Sequence, residues 1–77
     1  MNRRLKTISS RDIERILRRR GFTLSRQKGS HKQYIGIVRG RKRRVTVITE
    51  QKKFTPKTLQ SMIQQSGLSE EEWLESL

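Results

Sequence analysis

The sequence predicts a small α+β fold in which one helix is followed by three antiparallel strands and then by further helix. Three observations predict it. Apolar residues near the N-terminus recur at helical spacing, the middle of the chain alternates and is rich in β-branched residues, and helical spacing returns after a Thr-Pro pair. With 77 residues, the chain is expected to form one domain over residues 1–77, with a core near the lower limit for independent folding.

The first helix is predicted to begin after Ser9 and to end at Gly21. Ser9 and Asp12 have the spacing of a capping box, in which each side chain accepts a hydrogen bond from the backbone N–H of the other residue. Arginines occupy most of the remaining surface, so the helix is amphipathic. Its apolar face has the i, i+3, i+4 spacing and consists of Ile13, Ile16 and Leu17.

Three short strands are predicted next, over residues 22–27, 33–38 and 44–49. Gly29-Ser30 is predicted to form the first turn. The link from Arg39 to Lys42 is short enough for a hairpin, in which Gly40 can supply a positive φ. The strands are therefore expected to form a three-stranded antiparallel sheet on which the helices pack.

The last third of the chain predicts two more helices. Thr55 is expected to cap the first of them, with Pro56 at the first helical position and Gly67 at the end. Ser69 and Glu72 then match a second capping box, which predicts a short C-terminal helix.

The charge of the chain indicates a polyanionic partner. The formal net charge is +12, and residues 1–44 hold 16 Lys or Arg against two acidic residues. Self-repulsion of this size destabilises a small protein, so the excess charge is expected to serve binding. Nucleic acid is the first expectation and an acidic protein the second. A membrane is not expected as a partner, because no helix combines a basic face with a broad apolar one.

The composition argues against several other kinds of site. The chain has no cysteine, so neither a disulfide nor a thiolate metal site is available, as is usual for a cytoplasmic protein. A single histidine and scattered carboxylates predict no metal site. No cofactor is expected either. The N-terminus lacks the apolar run of a signal peptide, and no stretch approaches the ~20 apolar residues of a membrane span.

The segment from Lys28 to Tyr34 holds the only histidine, His31. Histidine can both accept and donate protons near neutral pH. Gly29 permits close approach of a ligand, Ser30 offers a hydroxyl and an N–H, and lysines on both sides of the histidine attract phosphate. These groups suffice for metal-free RNA cleavage, in which the ribose 2′-OH attacks the adjacent phosphorus. The alternative on these residues alone is an ordinary surface histidine at the start of a strand.

One histidine fills one of the two proton-transfer roles of such a reaction. The sequence leaves the second role open among Tyr34, Lys28, Lys32 and water. Tyr34 lies three residues from His31, so a regular strand places the two on opposite faces, and a core position for the tyrosine ring is expected.

Phosphate contacts are predicted for residues around His31 and for the basic hairpin tip, where no acidic residue in the sequence nearby can pair with the cations. The arginines of the first helix are either a solvated face or part of the same track. The predicted RNA-binding residues are Arg26, Lys28, Gly29, Ser30, Lys32, Arg39, Arg41, Lys42, Arg43 and Arg44.

Together these motifs resemble the HicA toxins of bacterial toxin–antitoxin pairs. The resemblance covers roughly Lys6 to Leu74. It rests on the residues Ser9, Ile16-Leu17, Gly21-Phe22, Gln27-Lys28-Gly29-Ser30-His31-x-x-Tyr34, Val45-Thr46-Val47, Thr58-Leu59, Ile63 and Ser66-Gly67-Leu68-Ser69. It implies a double-stranded-RNA-binding-domain-like α-β-β-β-α fold with a short C-terminal helix.

The resemblance also implies a function. It implies the toxin of a type II toxin–antitoxin system, a cytoplasmic mRNA interferase that needs neither metal nor cofactor and whose catalytic histidine is His31. It further implies a HicB-type antitoxin that covers the toxin and blocks its site, with the toxin monomeric when free. The alternative is a non-catalytic RNA-binding module of the same fold.

Two positions depart from the pattern of the family. Many relatives carry a second histidine after the third strand, where this chain has Val47-Ile48-Thr49-Glu50. Many also have glycine before the Thr-Leu pair of the second helix, where this chain has Lys57. Neither change touches Gly29-Ser30-His31, but the first excludes a two-histidine mechanism.

Overall fold

The computed structural model describes residues 2–77, which form helices on one face of a three-stranded antiparallel sheet in the order β1-β2-β3. The elements are a 3₁₀ turn at Leu5–Thr7, helix α1 at Ser10–Arg19, strands β1 at Thr23–Lys28, β2 at His31–Val38 and β3 at Arg41–Ile48, and helices α2 at Pro56–Ser66 and α3 at Glu70–Glu75. This confirms the predicted α-β-β-β-α order and the double-stranded-RNA-binding-domain type of fold.

The predicted helix ends are confirmed by their hydrogen bonds. The Ser9 N–H donates to the Asp12 carboxylate at 2.8 Å, and the Asp12 N–H donates to Ser9 Oγ at 3.3 Å. Ser69 and Glu72 repeat this capping box at 2.9 and 3.1 Å. Thr55 caps α2, with Pro56 at its first turn.

The first turn lies at Gly29-Ser30 as predicted. The second hairpin is tighter than predicted, and the expectation that residues 41 and 42 belong to a loop is wrong. Each turn has two residues, Gly29-Ser30 and Arg39-Gly40. In the second turn φ is 51° at Arg39 and 78° at Gly40. Two consecutive positive values characterise a type I′ turn, whose twist matches that of the flanking strands. Pairing therefore continues up to Val38 and Arg41, and Arg41–Arg44 lies in β3.

The sheet has one covered face and one open face. Side chains alternate along a strand, and Tyr34, Val45 and Val47 on the covered face are fully buried beneath the helices. We call the opposite side the open face; in β2 and β3 it comprises His31, Gln33, Ile35, Ile37, Lys42, Arg44 and Thr46, none of which is buried. Ile37 is 64% exposed, because no described element covers this side of β2.

Helix α3 is attached to the core by Trp73. Its ring is fully buried, and the indole N–H donates to Ser66 Oγ, which is also buried, at 3.0 Å. The 3₁₀ turn, which no sequence pattern predicted, adds buried Leu5 to the same core. No helix among residues 2–77 is both long and apolar enough to cross a membrane.

Gly36 allows the Phe22 ring to lie directly on β2. A Cβ atom at Gly36 would come within 2.7, 2.8 and 2.9 Å of three ring atoms of Phe22. We therefore expect Gly36→Ala to lower the free energy of unfolding by about 1–3 kcal/mol, as overpacking does in other cores. Urea unfolding measures the loss. In a Phe22→Leu background the same substitution should cost less, and an equal cost in both backgrounds would contradict the packing argument.

Candidate nucleic-acid interface

A depression of about 620 Å³ opens on the open face beside the β1–β2 turn. Five of its lining residues were predicted from the sequence as site residues: Arg26, Lys28, Gly29, Ser30 and His31. The other two are Gln33 and Thr46. Both could have been found from strand periodicity, because Gln33 lies two residues after His31 and Thr46 pairs with Gln33 across the sheet.

His31 combines a fixed backbone with a solvent-exposed side chain. It is the first residue of β2, the central strand, and pairs with Lys28 on one side and Ile48 on the other. The Ser30 carbonyl accepts a hydrogen bond from the Thr49 N–H at 2.7 Å, which holds the turn against β3. The imidazole is thus presented to solvent from a rigid position.

A β-bulge turns Arg26 towards His31. The β1–β2 register shifts between Leu24 and Arg26, so Leu24 pairs with Tyr34 while Arg26 pairs with Gln33. Without the extra residue, Arg26 would pair with Lys32 and point to the covered face. The bulge therefore places Arg26 on the open face, next to Lys28 and His31.

Tyr34 and Lys32 lie on the face opposite His31, as expected for Tyr34. The Tyr34 hydroxyl donates to the Glu14 carboxylate, and Lys32 Nζ lies 3.0 Å from Glu14 Oε1. Of the four candidates for the second proton-transfer group, these two are therefore on the wrong side of the sheet. Lys28 pairs with His31 and is the candidate side chain that lies beside it. The predicted contact residue Lys32 already has an anionic partner.

At physiological pH the Glu14 side chain is an ionised carboxylate and the Tyr34 side chain is a neutral phenol. Burial raises the pKa of Tyr34 to about 12, together with the hydrogen bond to Glu14 and its negative charge. Burial on its own also raises the pKa of Glu14. Hydrogen bonds from Tyr34 and Lys32 and the charges of Lys32 and Arg18 outweigh it and hold that pKa below its usual value.

The basic residues of the second hairpin do not act as one free tip, and the expectation that no acid pairs them is wrong for Arg39. Its guanidinium donates to the Gly67 carbonyl at 3.0 Å and to Glu72 Oε1 at 2.8 Å. Local sequence patterns could not predict this ion pair, because its two members are 33 positions apart in the chain. The hydrogen bonds from Arg39 and from the Ser69 N–H lower the pKa of Glu72 to about 2.

The other four basic residues of the second hairpin, residues 41–44, differ in their surroundings. Arg43 is half-buried against Gly67, and Arg41 is exposed at the start of β3. Lys42 and Arg44 are exposed on the open face. Arg44 donates to Gln33 Oε1 at 2.8 Å. Arg44 is thus bonded to a residue that lines the depression around His31.

Within residues 2–77, no group of three or more His, Cys, Asp and Glu side chains is arranged to hold a metal ion.

Fold and site together define a small basic α+β protein with an exposed histidine on an open sheet. The model of a protein family described as the HicA toxin of bacterial toxin–antitoxin matches residues 10–68. The chain therefore belongs to the HicA toxin family, and the match runs from α1 past the end of α2 and includes the His31 turn. A toxin of this kind has an antitoxin as its partner. Comparison with curated proteins finds no match.

Glu14 should make the stability of the protein depend on acid pH. Because its pKa is lower in the folded chain than the usual 4.5, the stabilisation is present above that pH and is lost as the pH falls through the lower, folded-state pKa. We expect Glu14→Gln to cost about 1–3 kcal/mol near neutral pH, since it leaves buried partners poorly satisfied.

Urea unfolding near neutral pH and near pH ~3 tests this expectation, because the difference between wild type and Glu14→Gln should shrink in acid. Glu71→Gln, on the exposed side of α3, is the matched control and should change little. A Glu14→Gln penalty that is the same at both pH values would refute the role of the carboxylate charge.

Proposed function

We propose that this toxin is an endoribonuclease that cleaves mRNA, with His31 as its proton-transfer residue. The observation that carries the proposal is the position of His31: its imidazole stands exposed on a fixed central strand, with Lys28 and Arg26 on the same face. The cations attract the phosphodiester, and the depression leaves room for it.

The proposed reaction uses the 2′-OH of RNA. His31 takes the 2′-OH proton, the O2′ atom attacks the adjacent phosphorus, and the P–O5′ bond breaks to leave a cyclic phosphate. Arg26 and the turn backbone at Gly29-Ser30 stabilise the additional negative charge on the phosphate oxygens. Lys28, the cross-strand neighbour of His31, gives a proton to the leaving O5′. DNA has no 2′-OH and is not a substrate by this route.

The remaining parts of the proposal follow the family. The toxin acts in the cytoplasm without metal or cofactor, as a single domain over residues 1–77 that is monomeric when free. A HicB-type antitoxin inhibits it by covering the open face. The remaining RNA contacts on the open face are made by Lys42 and Arg44, which is consistent with their exposure.

A non-catalytic RNA-binding module is the second candidate. One observation favours it: among residues 2–77, no hydrogen bond from a neighbouring group orients the His31 ring, whereas many catalytic histidines are held by one. A binding module would keep its RNA affinity and its effect on growth after His31 is removed.

Replacement of His31 separates the two candidates. We expect His31→Ala to lower the cleavage rate of a long transcript, measured in EDTA, by about 10²–10⁴-fold while leaving RNA affinity within a few-fold. Gln33→Ala is the matched control from the same depression. DNA of the same sequence should stay intact. Undiminished cleavage by His31→Ala would rule out His31 as the proton-transfer residue. Growth arrest by a His31→Ala variant that no longer cleaves RNA would favour the binding module.

The role of Lys28 can be tested with a modified leaving group. Lys28→Ala should slow cleavage of normal RNA, because the departing O5′ needs a proton. Replacing that oxygen by sulfur at a mapped cleavage site creates a leaving group that needs no acid, so the defect of Lys28→Ala should largely disappear. Arg26→Ala should remain slow on both substrates. A Lys28→Ala defect that persists with sulfur would assign Lys28 to charge stabilisation alone.

A further inference from the structure

A second depression, of about 580 Å³, lies on the covered-face side of the sheet beside α1. Every residue that lines it is charged, and five of the six are positive: Arg11, Glu14, Arg15, Arg18, Arg19 and Lys32. We call it the α1 depression. The mechanism above uses none of these residues.

The floor of the α1 depression is held in place by Glu14 and Tyr34. The Arg18 guanidinium lies 5.9 Å from the centroid of the Tyr34 ring and donates to its hydroxyl at 3.2 Å. Lys32 is bonded to Glu14, whose side chain is only 9% exposed. The single negative charge in the depression is therefore already taken up by Lys32, Arg18 and the phenol.

The rim of the α1 depression offers cations to a ligand. Arg11 is exposed and has no ion pair or hydrogen bond to its side chain among residues 2–77. Arg15 is 53% exposed and lies 3.8 Å from Asp12, too far for a strong hydrogen bond. The two arginines are four residues apart, so they stand about one helical turn, ~5–6 Å, from each other. Arg19 is different, because it is bonded to the carbonyls of Ser76 and Leu77.

We infer that the α1 depression is a second binding surface for the phosphate backbone of RNA, with Arg11 and Arg15 as the residues that contact phosphates. Arginine suits phosphate, because its planar guanidinium can donate two parallel hydrogen bonds to phosphate oxygens. The lining favours RNA over an acidic protein. Protein interfaces have an apolar or aromatic centre from which charged residues are depleted, and this depression has no apolar lining residue. Interfaces with nucleic acid are polar and strongly positive.

The two depressions lie on opposite faces of the sheet at the start of β2, one lined by His31 and the other by Lys32. His31 and Lys32 are consecutive, and their side chains point to opposite faces of the sheet. An RNA strand that passes around the β1–β2 turn therefore reaches both sides. The inference rests on the proposed function for the identity of the ligand. The inference assigns RNA binding to α1 and cleavage to the open face. A substitution in α1 should therefore lower the affinity for RNA and leave the cleavage rate at saturating RNA unchanged.

The experiment compares two double variants with equal loss of charge. Arg11→Gln/Arg15→Gln changes the α1 depression. Lys53→Gln/Lys57→Gln removes two exposed lysines, one in the segment before α2 and one in its first turn. Binding of a single-stranded RNA oligonucleotide is measured in a His31→Ala background between about 50 and about 200 mM salt. Cleavage at saturating RNA is measured for each pair with His31 intact.

We expect the α1 pair to weaken RNA binding by about tenfold at low salt and to reduce the salt slope by about 0.7 for each lost phosphate contact. The α2 pair should change both much less, and neither pair should alter the saturated cleavage rate. Equal losses for the two pairs would overturn the inference, because they would reflect net charge alone. Unchanged RNA binding with lost antitoxin binding would overturn it too and assign the surface to a protein.

The results for the α1 depression and for the proposed cleavage activity can be distinguished. If the α1 pair weakens RNA binding but wild-type protein does not cleave RNA, the inference stands and the enzymatic proposal fails. If wild-type protein cleaves RNA and the α1 pair binds and cleaves as it does, the inference fails and the proposed function stands. Urea unfolding confirms that each variant is folded.

Discussion

The register of strand β2 is the constraint on which the rest of the structure depends. Side chains alternate with a period of two, so a slip of one residue would exchange every side chain between the faces. Tyr34 prevents such a slip because its buried hydroxyl must meet Glu14, and the Glu14 carboxylate in turn needs Lys32. With these residues fixed below the sheet, His31 and Gln33 must lie above it. A buried hydrogen-bonded cluster thus determines which groups lie on the open face.

The sequence predicted most of the fold because its signals are local. The capping boxes, the Thr-Pro helix start and the glycine turns each depend on residues within a few positions, and the structure confirms them. Strands β2 and β3 begin earlier than predicted, at His31 and Arg41 instead of residues 33 and 44. Basic residues such as Arg41 and His31 carry no apolar period, and only a tight turn shows that pairing continues to them.

The candidate site was less predictable, because it depends on contacts between distant residues. His31 followed from its motif, but the orientation of Arg26 depends on a bulge that strand periodicity does not reveal. The pairing of Arg39 with Glu72 joins the second turn to the C-terminal helix. In the same way, Arg20 donates to Ser76 Oγ at 2.7 Å and to the Glu72 carbonyl at 3.0 Å. Residues of the C-terminal helix α3 therefore bind several arginines. From composition alone, these arginines would be expected to bind a ligand.

The meander topology has a consequence for how the two surfaces form during folding. Lys28 and His31 meet when a two-residue turn closes, an event that hairpins complete in microseconds. The α1 depression requires contact between Glu14 and Lys32, which are 18 positions apart in the chain. It therefore forms only when α1 packs on the sheet. The groups around His31 are therefore encoded as a local unit of the chain, whereas the surface on α1 is a product of tertiary structure and disappears with any loosening of the core.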